Sequence, residues 1–440
     1  MSDISIDDFG GDPSGVNDSA AAFNAAVAAI GSNGRIRFSA GTYKFLSAIT
    51  CTLPSNTPAA ILLDGQGPSG TVLYWPSTNG LVFNCSNQAQ TVNVRGMAFT
   101  CGGVNTQTAI VVNQSSPLGT FETSVFFNLT FRGQTNNSET YWGTGAVINN
   151  YSSTSWDGVT FLGGGAGTGI TFQGTGVGGV GGPNFSIYHN IAKSIFNSLG
   201  TGLFYNGYSQ GITVTQCNFQ NTQVGIFSPS STESAGQSQL NVDNNQFNCF
   251  NTAILLQSGV SNVSISGNDI IVNDTENTNA ISVTGSPYGT IYGNNINALG
   301  SNSTFGVVLD NCTSWNISSN VIDGFGQGIL LLGNTGNSII IANTYNVCVV
   351  KATDLSSSVS NQIFFDNQAP VANLSVGVSP WTYTAGSSPE MVYLFGGAVS
   401  NVSKNGVFVA TATNASVHLK PHESMVVTYS AKPSASSEKL

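Results

Sequence analysis

The chain contains very little charge, and cationic side chains are the scarcest. Only 7% of its 440 residues are charged, and 11 Lys and Arg stand against 21 Asp and Glu, for a formal net charge of −10. A protein that binds nucleic acid needs a basic surface to neutralise phosphates. The composition therefore predicts no nucleic-acid partner, and an anionic polysaccharide would also meet few cations.

Long apolar runs and paired cysteines are lacking as well. No stretch of 18 apolar residues exists, so no membrane insertion is predicted. Residues 1–8 are acidic and lack the apolar run of a signal peptide. The seven cysteines are odd in number and form no CxxC, which favours free thiols in a core. No His or Cys spacing matches a metal site, so no metal is predicted.

Glycine and small polar residues supply the polarity that charge does not. The chain has 52 glycines, many Asn, Ser and Thr, and 40% hydrophobic residues. Disordered chains combine low hydrophobicity with high net charge, and this composition does not. It is typical of a protein built from many short strands and turns.

A repeat runs from Gly211 to Tyr345. Each unit is a short alternating strand, then a small or amide residue, then one closing apolar residue, and a second strand follows. The closing residues are 23 to 28 positions apart: Phe219, Phe247, Ile270, Ile296, Ile322 and Tyr345. Such a period predicts a solenoid whose coils share one core. Strands without helical periodicity make this an all-β protein, a single-stranded right-handed parallel β-helix.

The same pattern extends backwards through Phe99, Phe131, Phe161 and Phe196, which gives ten coils as far as Tyr345 and one more ending near residue 365. The amide position predicts a ladder in which one Asn stacks on the next, because Asn suits tight turns. Its members are Asn245, Asn268, Asn294, Asn320 and Asn343.

The two ends of the chain differ from the repeat. Residues 19–30 form an Ala-rich amphipathic pattern with Asp18 or Ser19 placed to cap a helix. We expect this helix to cover the end of the solenoid, which would otherwise expose a sheet edge. The predicted divisions are an N-terminal cap with the first strands (1–50), the β-helix (51–366) and a small C-terminal β-sandwich-like domain (367–440).

The N-terminal motifs resemble the opening of the pectate-lyase-like β-helix superfamily. The matching segments are residues 8–10 (DFG), 17–19 (NDS) and 40–43 (AGTY), while Phe38-Ser39 stands where that pattern usually has Pro. The resemblance implies the fold and says little about chemistry.

The C-terminal segments are similar to the closing domain of many phage tail proteins. They are residues 404–407 (KNGV), 419–424 (LKPHES) and 427–430 (VTYS). The resemblance implies a tailspike, usually a homotrimer, with this domain serving trimerisation or capping. Many tailspikes cleave host capsule or lipopolysaccharide. The implied location is the virion tail, assembled in host cytoplasm and acting at the bacterial surface, with non-classical secretion as the alternative.

One column of the repeat, four positions before each closing residue, has the parity of a solvent-facing row. It contains Asp157 and Asp243, three coils apart, or on the order of 14 Å between backbones. Side chains that lean inward would approach the roughly 6.5–9.5 Å used by inverting glycosidases. The whole column reads Arg95, Phe127, Asp157, Ala192, Thr215, Asp243, Ser266, Tyr292 and Ser318.

Nearby positions supply the remaining candidates. Glu139 and Glu233 are further catalytic carboxylates on insertions, while Trp156 is predicted to lie in the core. Exposed aromatics give sugars a surface to stack on. The predicted substrate-binding residues are Tyr141, Trp142, Tyr188, His189, Lys193, Tyr205 and Tyr208.

A bland interpretation of these carboxylates stays open: an outward Asp on a solenoid is most often a solubilising residue. The same applies to a second acidic region, which we interpret as a solvated face: Asp269, Asp274, Glu276 and Asp310.

Three functions follow from these patterns. The leading prediction is an endo-glycosidase that uses a carboxylate pair, without a cofactor, on a bacterial capsular, exo- or lipopolysaccharide. The second is a lyase with His189 as base, aided by Lys193 or Tyr188. The resemblance implies Ca²⁺ and nearby cations for a lyase, and the few cations of the repeat region disfavour it. The third is a non-catalytic glycan-binding receptor spike.

Overall fold

The predicted solenoid is confirmed. The computed structural model describes residues 2–55, 57–103, 107–116, 122–135, 139–174, 185–229, 238–257, 260–273, 278–299, 305–364, 372–410 and 414–439. The chain winds into a right-handed-type parallel β-solenoid of about 11 turns. Consecutive coils pair in parallel, each strand with its equivalent one turn later. One further coil was predicted to end near residue 365, and its closing residue lies outside the described residues.

Three stacks of parallel strands, here called faces A, B and C in chain order within each coil, form the walls. Four long strands bend from one face to the next: Gln90–Cys101 and Ser124–Gly133 pass from A to B, and Asn218–Ser228 and Gln246–Gln257 from B to C. The other strands of face A are Ser2–Ser5, Asn33–Arg37, Ala59–Asp64, Thr154–Asp157, Ser186–Ala192, Ser209–Thr215, Ser238–Asp243, Ser261–Ser266, Pro287–Tyr292, Thr313–Ser318, Ile339–Ile341 and Gln362–Ile363.

The other two faces follow the same order. Those of face B are Ser14–Asp18, Gly41–Lys44, Thr71–Trp75, Thr160–Leu162, Ile195–Asn197, Asp269–Val272, Asn295–Ala298, Val321–Asp323 and Thr344–Asn346. Those of face C are Ile49–Thr52, Leu81–Cys85, Thr108–Gln114, Thr144–Asn149, Thr168–Gly174, Thr201–Gly207, Asn279–Thr284, Phe305–Asp310, Gln327–Leu332 and Val350–Asp354.

The aromatic closing residues of the repeat stack on one another in the core. The rings of Phe196 and Phe219 stack with centroids 4.6 Å apart, as do those of Phe219 and Phe247. This spacing is close to the distance between neighbouring strands, so one aromatic closing residue per coil stacks on the next from Phe99 to Phe247. Buried isoleucines take this place in the three following coils. Trp156 is fully buried and stacks on Phe126, as predicted for a core residue.

The asparagine ladder is confirmed at the turn between faces A and B. Asn294 donates its side-chain N–H to Oδ1 of Asn320 at 2.9 Å, and its own Oδ1 accepts from Asn268 at 2.9 Å. The same contact links Asn245 to Asn268 and Asn320 to Asn343. All five side chains are buried, so the ladder satisfies backbone groups that the turn removes from water.

The seven cysteines are free, as predicted, and all but Cys348 are buried. Burial raises the pKa of the Cys51 and Cys217 thiols to about 12. These thiols are therefore protonated, apolar packing residues.

A helix spans Ala20–Ile30, after a short 3₁₀ turn at Ile6–Phe9. Phe23 and Ile30 of the helix are buried in the main core. Oδ1 of Asp18 accepts the N–H of Ala20 at 3.1 Å. That this helix caps the solenoid stays a prediction. Among the described residues, no helix is both long and apolar enough to span a membrane.

Parallel pairing ends with Gln362–Ile363, and antiparallel pairing follows. Two four-stranded sheets enclose a separate core that includes Val392, Val402 and Leu419. These sheets fit the small additional domain predicted for this end. Their strands are Ala372–Leu374, Trp381–Thr384, Glu390–Phe395, Ala398–Lys404, Val407–Ala410, Ala415–Leu419, Ser424–Ala431 and Ser434–Lys439.

Candidate functional site

The predicted column is present on face A. The strand register places Asp157 beside Ala192, Ala192 beside Thr215, and Thr215 beside Asp243. The two aspartates are thus three coils apart on one outer surface, about 14 Å between backbones.

Each aspartate makes contacts of its own. Oδ2 of Asp157 lies 4.0 Å from Nζ of Lys193, and both side chains are solvent-accessible. Asp243 accepts hydrogen bonds from Oγ of Ser266 at 2.8 Å and from Nδ2 of Asn244 at 2.7 Å. Ser266 lies one coil further from Asp157, so the Asp243 carboxylate is held towards the far side. The Asp243 side chain therefore does not lean towards Asp157 as predicted, whereas Asp157 approaches Lys193 on the next coil towards Asp243.

His189 is not on the surface, and this part of the prediction is wrong. Its ring is buried between Oγ of Ser186 (2.9 Å from Nε2) and Oγ of Thr154 (2.8 Å from Nδ1), and it stacks on Phe172. Burial lowers the pKa of His189 to about 3, so the imidazole is neutral. A residue enclosed in this way cannot reach a glycan.

Three of the predicted sugar platforms are also wrong, because Tyr141, Trp142 and Tyr205 are buried. Trp142 donates its indole N–H to the carbonyl of Phe99 at 3.0 Å and belongs to the main core. An insertion in the sequence does not reveal whether its aromatic residue folds outward or inward.

The remaining candidates are on or near the surface. Tyr188 is exposed, Tyr208 is partly buried against Phe185, and Glu139 is exposed in a turn. Glu233, Asp274 and Glu276 lie outside the described residues. The catalytic and binding roles assigned to these residues stay predictions.

A row of left-handed residues, one per coil, lies near the start of the face A strands and was not predicted from the sequence. Two of its members, Tyr188 and Tyr288, have φ of 60°. For a residue other than Gly or Asn, this backbone conformation costs roughly 1–2 kcal/mol. The row consists of Tyr188, Gly211, Gln239, Asn262, Tyr288, Ser314 and Asn337.

Neither tyrosine gains core packing in return, since Tyr188 is 58% and Tyr288 59% exposed. Strained residues that contribute nothing to the core are a mark of functional surfaces. Tyr292, on the same strand as Tyr288, is also exposed. The alternation of side chains along a strand would have predicted that Tyr288 is on the surface, because it lies four residues before Tyr292 on the same strand face.

A groove of about 380 Å³ lies beside Tyr288. Its floor includes Gly289, where a Cβ would lie 2.4 Å from the buried ring of Trp315. The missing side chain leaves room in the core for the indole of Trp315. Asn316 and Ile339 line the same groove.

The charged cluster at the N-terminal end of face A has a structural explanation. Asp64 is buried and accepts from Nε of Arg95 at 2.6 Å and from Arg35. Burial by itself would raise the pKa of Asp64, but the two guanidinium groups outweigh it and hold that pKa below its ordinary value. No group of three His, Cys, Asp or Glu side chains among the described residues is arranged to hold a metal ion.

No protein-family model matches the chain, and no curated protein matches its sequence. The solved structures that it resembles are pectate-lyase-like parallel β-helix proteins, including phage tailspikes. The Dettilon tailspike protein is 12% identical with a TM-score of 0.51 over 99% of this chain and 94% of that chain. A DFA-IIIase from Arthrobacter chlorophenolicus A6 is 12% identical with a TM-score of 0.52 over 82% and 94%. At such identity the likeness concerns the fold.

Proposed function

We propose that this protein acts on a bacterial capsular, exo- or lipopolysaccharide as a tailspike-like endo-glycosidase. The observation that carries the proposal is the arrangement of face A, where exposed tyrosines and two carboxylates share one rigid surface. Coils about 4.8 Å apart present side chains at intervals comparable with the length of one sugar unit. A glycan running along the solenoid axis would therefore meet one row per sugar.

Asp157 and Asp243 are the proposed acid and base. Hydrolysis with inversion needs a protonated carboxyl on one side of the glycosidic bond and an ionised carboxylate on the other. Substrate binding would have to draw Asp243 away from Ser266 for the pair to act together. Likeness to the Dettilon tailspike over 99% of this chain supports a virion tail location as a further part of the proposal. The resemblance of the C-terminal segments to phage tail proteins adds a homotrimer to it.

A second candidate is a non-catalytic glycan-binding spike. The hydrogen bonds that hold Asp243 away from Asp157 favour it, because an acid–base pair must face one glycosidic bond.

The test is cleavage of purified bacterial polysaccharides by the wild type, Asp157→Asn and Asp243→Asn. Asp310→Asn is the matched control, because Asp310 also accepts from a following Asn but lies on face C. The proposal expects new reducing ends from the wild type and the control, and a loss of at least about 100-fold in each active-site variant. Products that absorb as unsaturated uronates would identify a lyase. Binding without a decrease in polymer size would identify the spike.

A further inference from the structure

The residues of the exposed surface around Tyr288 are all uncharged, and a carboxylate, that of Asp243, meets its edge 2.8 Å from Oγ of Ser266. Its residues lie along four consecutive strands of face A, and we call this set the tyrosine patch. Its outward residues are Asn262, Ser264, Ser266, Tyr288, Thr290, Tyr292, Ser314, Asn316, Ser318, Asn337, Ile339 and Ile341. In a chain of net charge −10, a surface of this size that contains no cation, and whose edge is met by a carboxylate, indicates which ligands it can contact.

We propose that the tyrosine patch is a subsite for a neutral polysaccharide, one whose sugars carry no carboxylate, sulfate or phosphate. The proposal rests on the proposed function and adds the substrate class. A polyanion would meet no cation here, while the net charge of the whole protein would repel it. A neutral sugar needs an apolar platform and hydroxyl or amide partners, and this patch alternates the two.

The platforms are Tyr288 and Tyr292, which are 59% and 56% exposed. They lie four residues apart on one strand, and Thr290 points outward between them. One coil further, Ser318 is beside Tyr292 and Asn316 is beside Thr290. Sugar rings stacked on the tyrosines would therefore have hydroxyl and amide groups beside them.

The backbone of Tyr288 gives an independent reason to regard the patch as functional. Asn occupies the same left-handed position at Asn262 and Asn337, and it fits there with less strain than Tyr. The tyrosine is thus kept at a cost to the fold, at an exposed position beside the groove.

A second copy of this chain is the competing occupant. The core of a protein–protein interface is depleted in Ser and is more apolar than its rim. In the tyrosine patch, the strand between the tyrosines and the isoleucines presents Ser314, Asn316 and Ser318. These side chains can hydrogen-bond to a glycan, whereas the core of a subunit interface would not favour them.

The experiment measures binding of a panel of purified bacterial polysaccharides of known composition, one set neutral and one containing uronic acids. The wild type is expected to bind members of the neutral set, with affinity unchanged between low and high salt. Tyr288→Asn and Tyr292→Ser should each weaken that binding by about tenfold. Gln239→Asn is the matched control, since Gln239 is exposed with φ of 66° in the same row but outside the patch, and its binding should stay at the wild-type value.

The outcomes separate this proposal from the proposed function. Cleavage confined to the uronic-acid set would leave the glycosidase standing and overturn the neutral subsite. Neutral binding that both tyrosine variants lose, without cleavage, would support the subsite and overturn the hydrolase. Binding to no polysaccharide would overturn both. Sedimentation of the same variants tests the competitor: loss of an assembly that the wild type forms would make the patch a subunit interface and refute the proposal.

Discussion

Truncating one member of the asparagine ladder, Asn294→Ala, should destabilise the protein by about 4 kcal/mol. Oδ1 of Asn294 accepts the backbone N–H of Asn268 at 2.9 Å, and its Nδ2 donates to the carbonyl of Ile265 at 2.9 Å. Both groups lose these buried partners in the variant. A buried group left unsatisfied costs about 1–3 kcal/mol, and two such groups give the expected value.

The assay is equilibrium denaturant unfolding, followed by circular dichroism. Asn346→Ala is the matched control, because Asn346 is exposed on face B and its loss should change stability by less than about 0.5 kcal/mol. Hydrogen exchange should also show faster exchange at the amide of Asn268. If Asn294→Ala and Asn346→Ala unfold at the same denaturant concentration, the ladder does not stabilise the turn and this reasoning is wrong.

A charge substitution at the same position tests the chemistry of the ladder. Asn294→Asp keeps the shape and the accepting oxygen, but an ionised carboxylate has no N–H for Ile265. Burial raises the pKa of a carboxyl, so the folded variant binds a proton more tightly than the unfolded chain does. Its stability relative to the wild type should therefore increase as the pH falls from neutral, and a deficit relative to the wild type that grows in acid would contradict this account.

Three further outcomes are expected. The pKa of His189 is lowered to about 3, so the unfolded chain takes up a proton below about pH 6.5 while the folded protein does not. The free energy of unfolding of the wild type should therefore fall by up to about 1.4 kcal/mol per pH unit below that point. A His189→Gln variant with the same acid sensitivity would refute this assignment. Alkylation of the native protein should label Cys348 alone, and denatured protein should be labelled at all seven positions; mass spectrometry of the digested protein decides this. Asp64→Asn should destabilise the protein by about 1.5–3 kcal/mol at neutral pH, because Arg35 and Arg95 lose an ionic acceptor. The difference from the wild type should shrink as the pH falls through the range in which carboxylates titrate, since protonation removes the contribution of Asp64. A difference in the unfolding midpoint that does not depend on pH would contradict this.

The repeat was predictable because each coil repeats the same local physics. A closing residue such as Phe219 must face the core, and alternation then assigns its neighbours to inside or outside. The turn position of Asn268 follows from the conformational preference of Asn. These preferences act over a few residues, so they can be read from the sequence alone, and they placed Asp157 and Asp243 correctly in one column.

Side-chain direction within insertions and irregular coils was decided by tertiary packing. Trp142 and Tyr205 lie in the core because neighbouring coils leave space that an aromatic ring fills, and His189 points inward where Ser186 and Thr154 can satisfy both ring nitrogens. The sequence determined which coils exist and which column each residue joins, since strand alternation is a local rule. Only the stacked structure decided where Asp243 leans and that Tyr288 is strained and exposed beside a groove, because contacts between coils 23 to 28 residues apart set those properties.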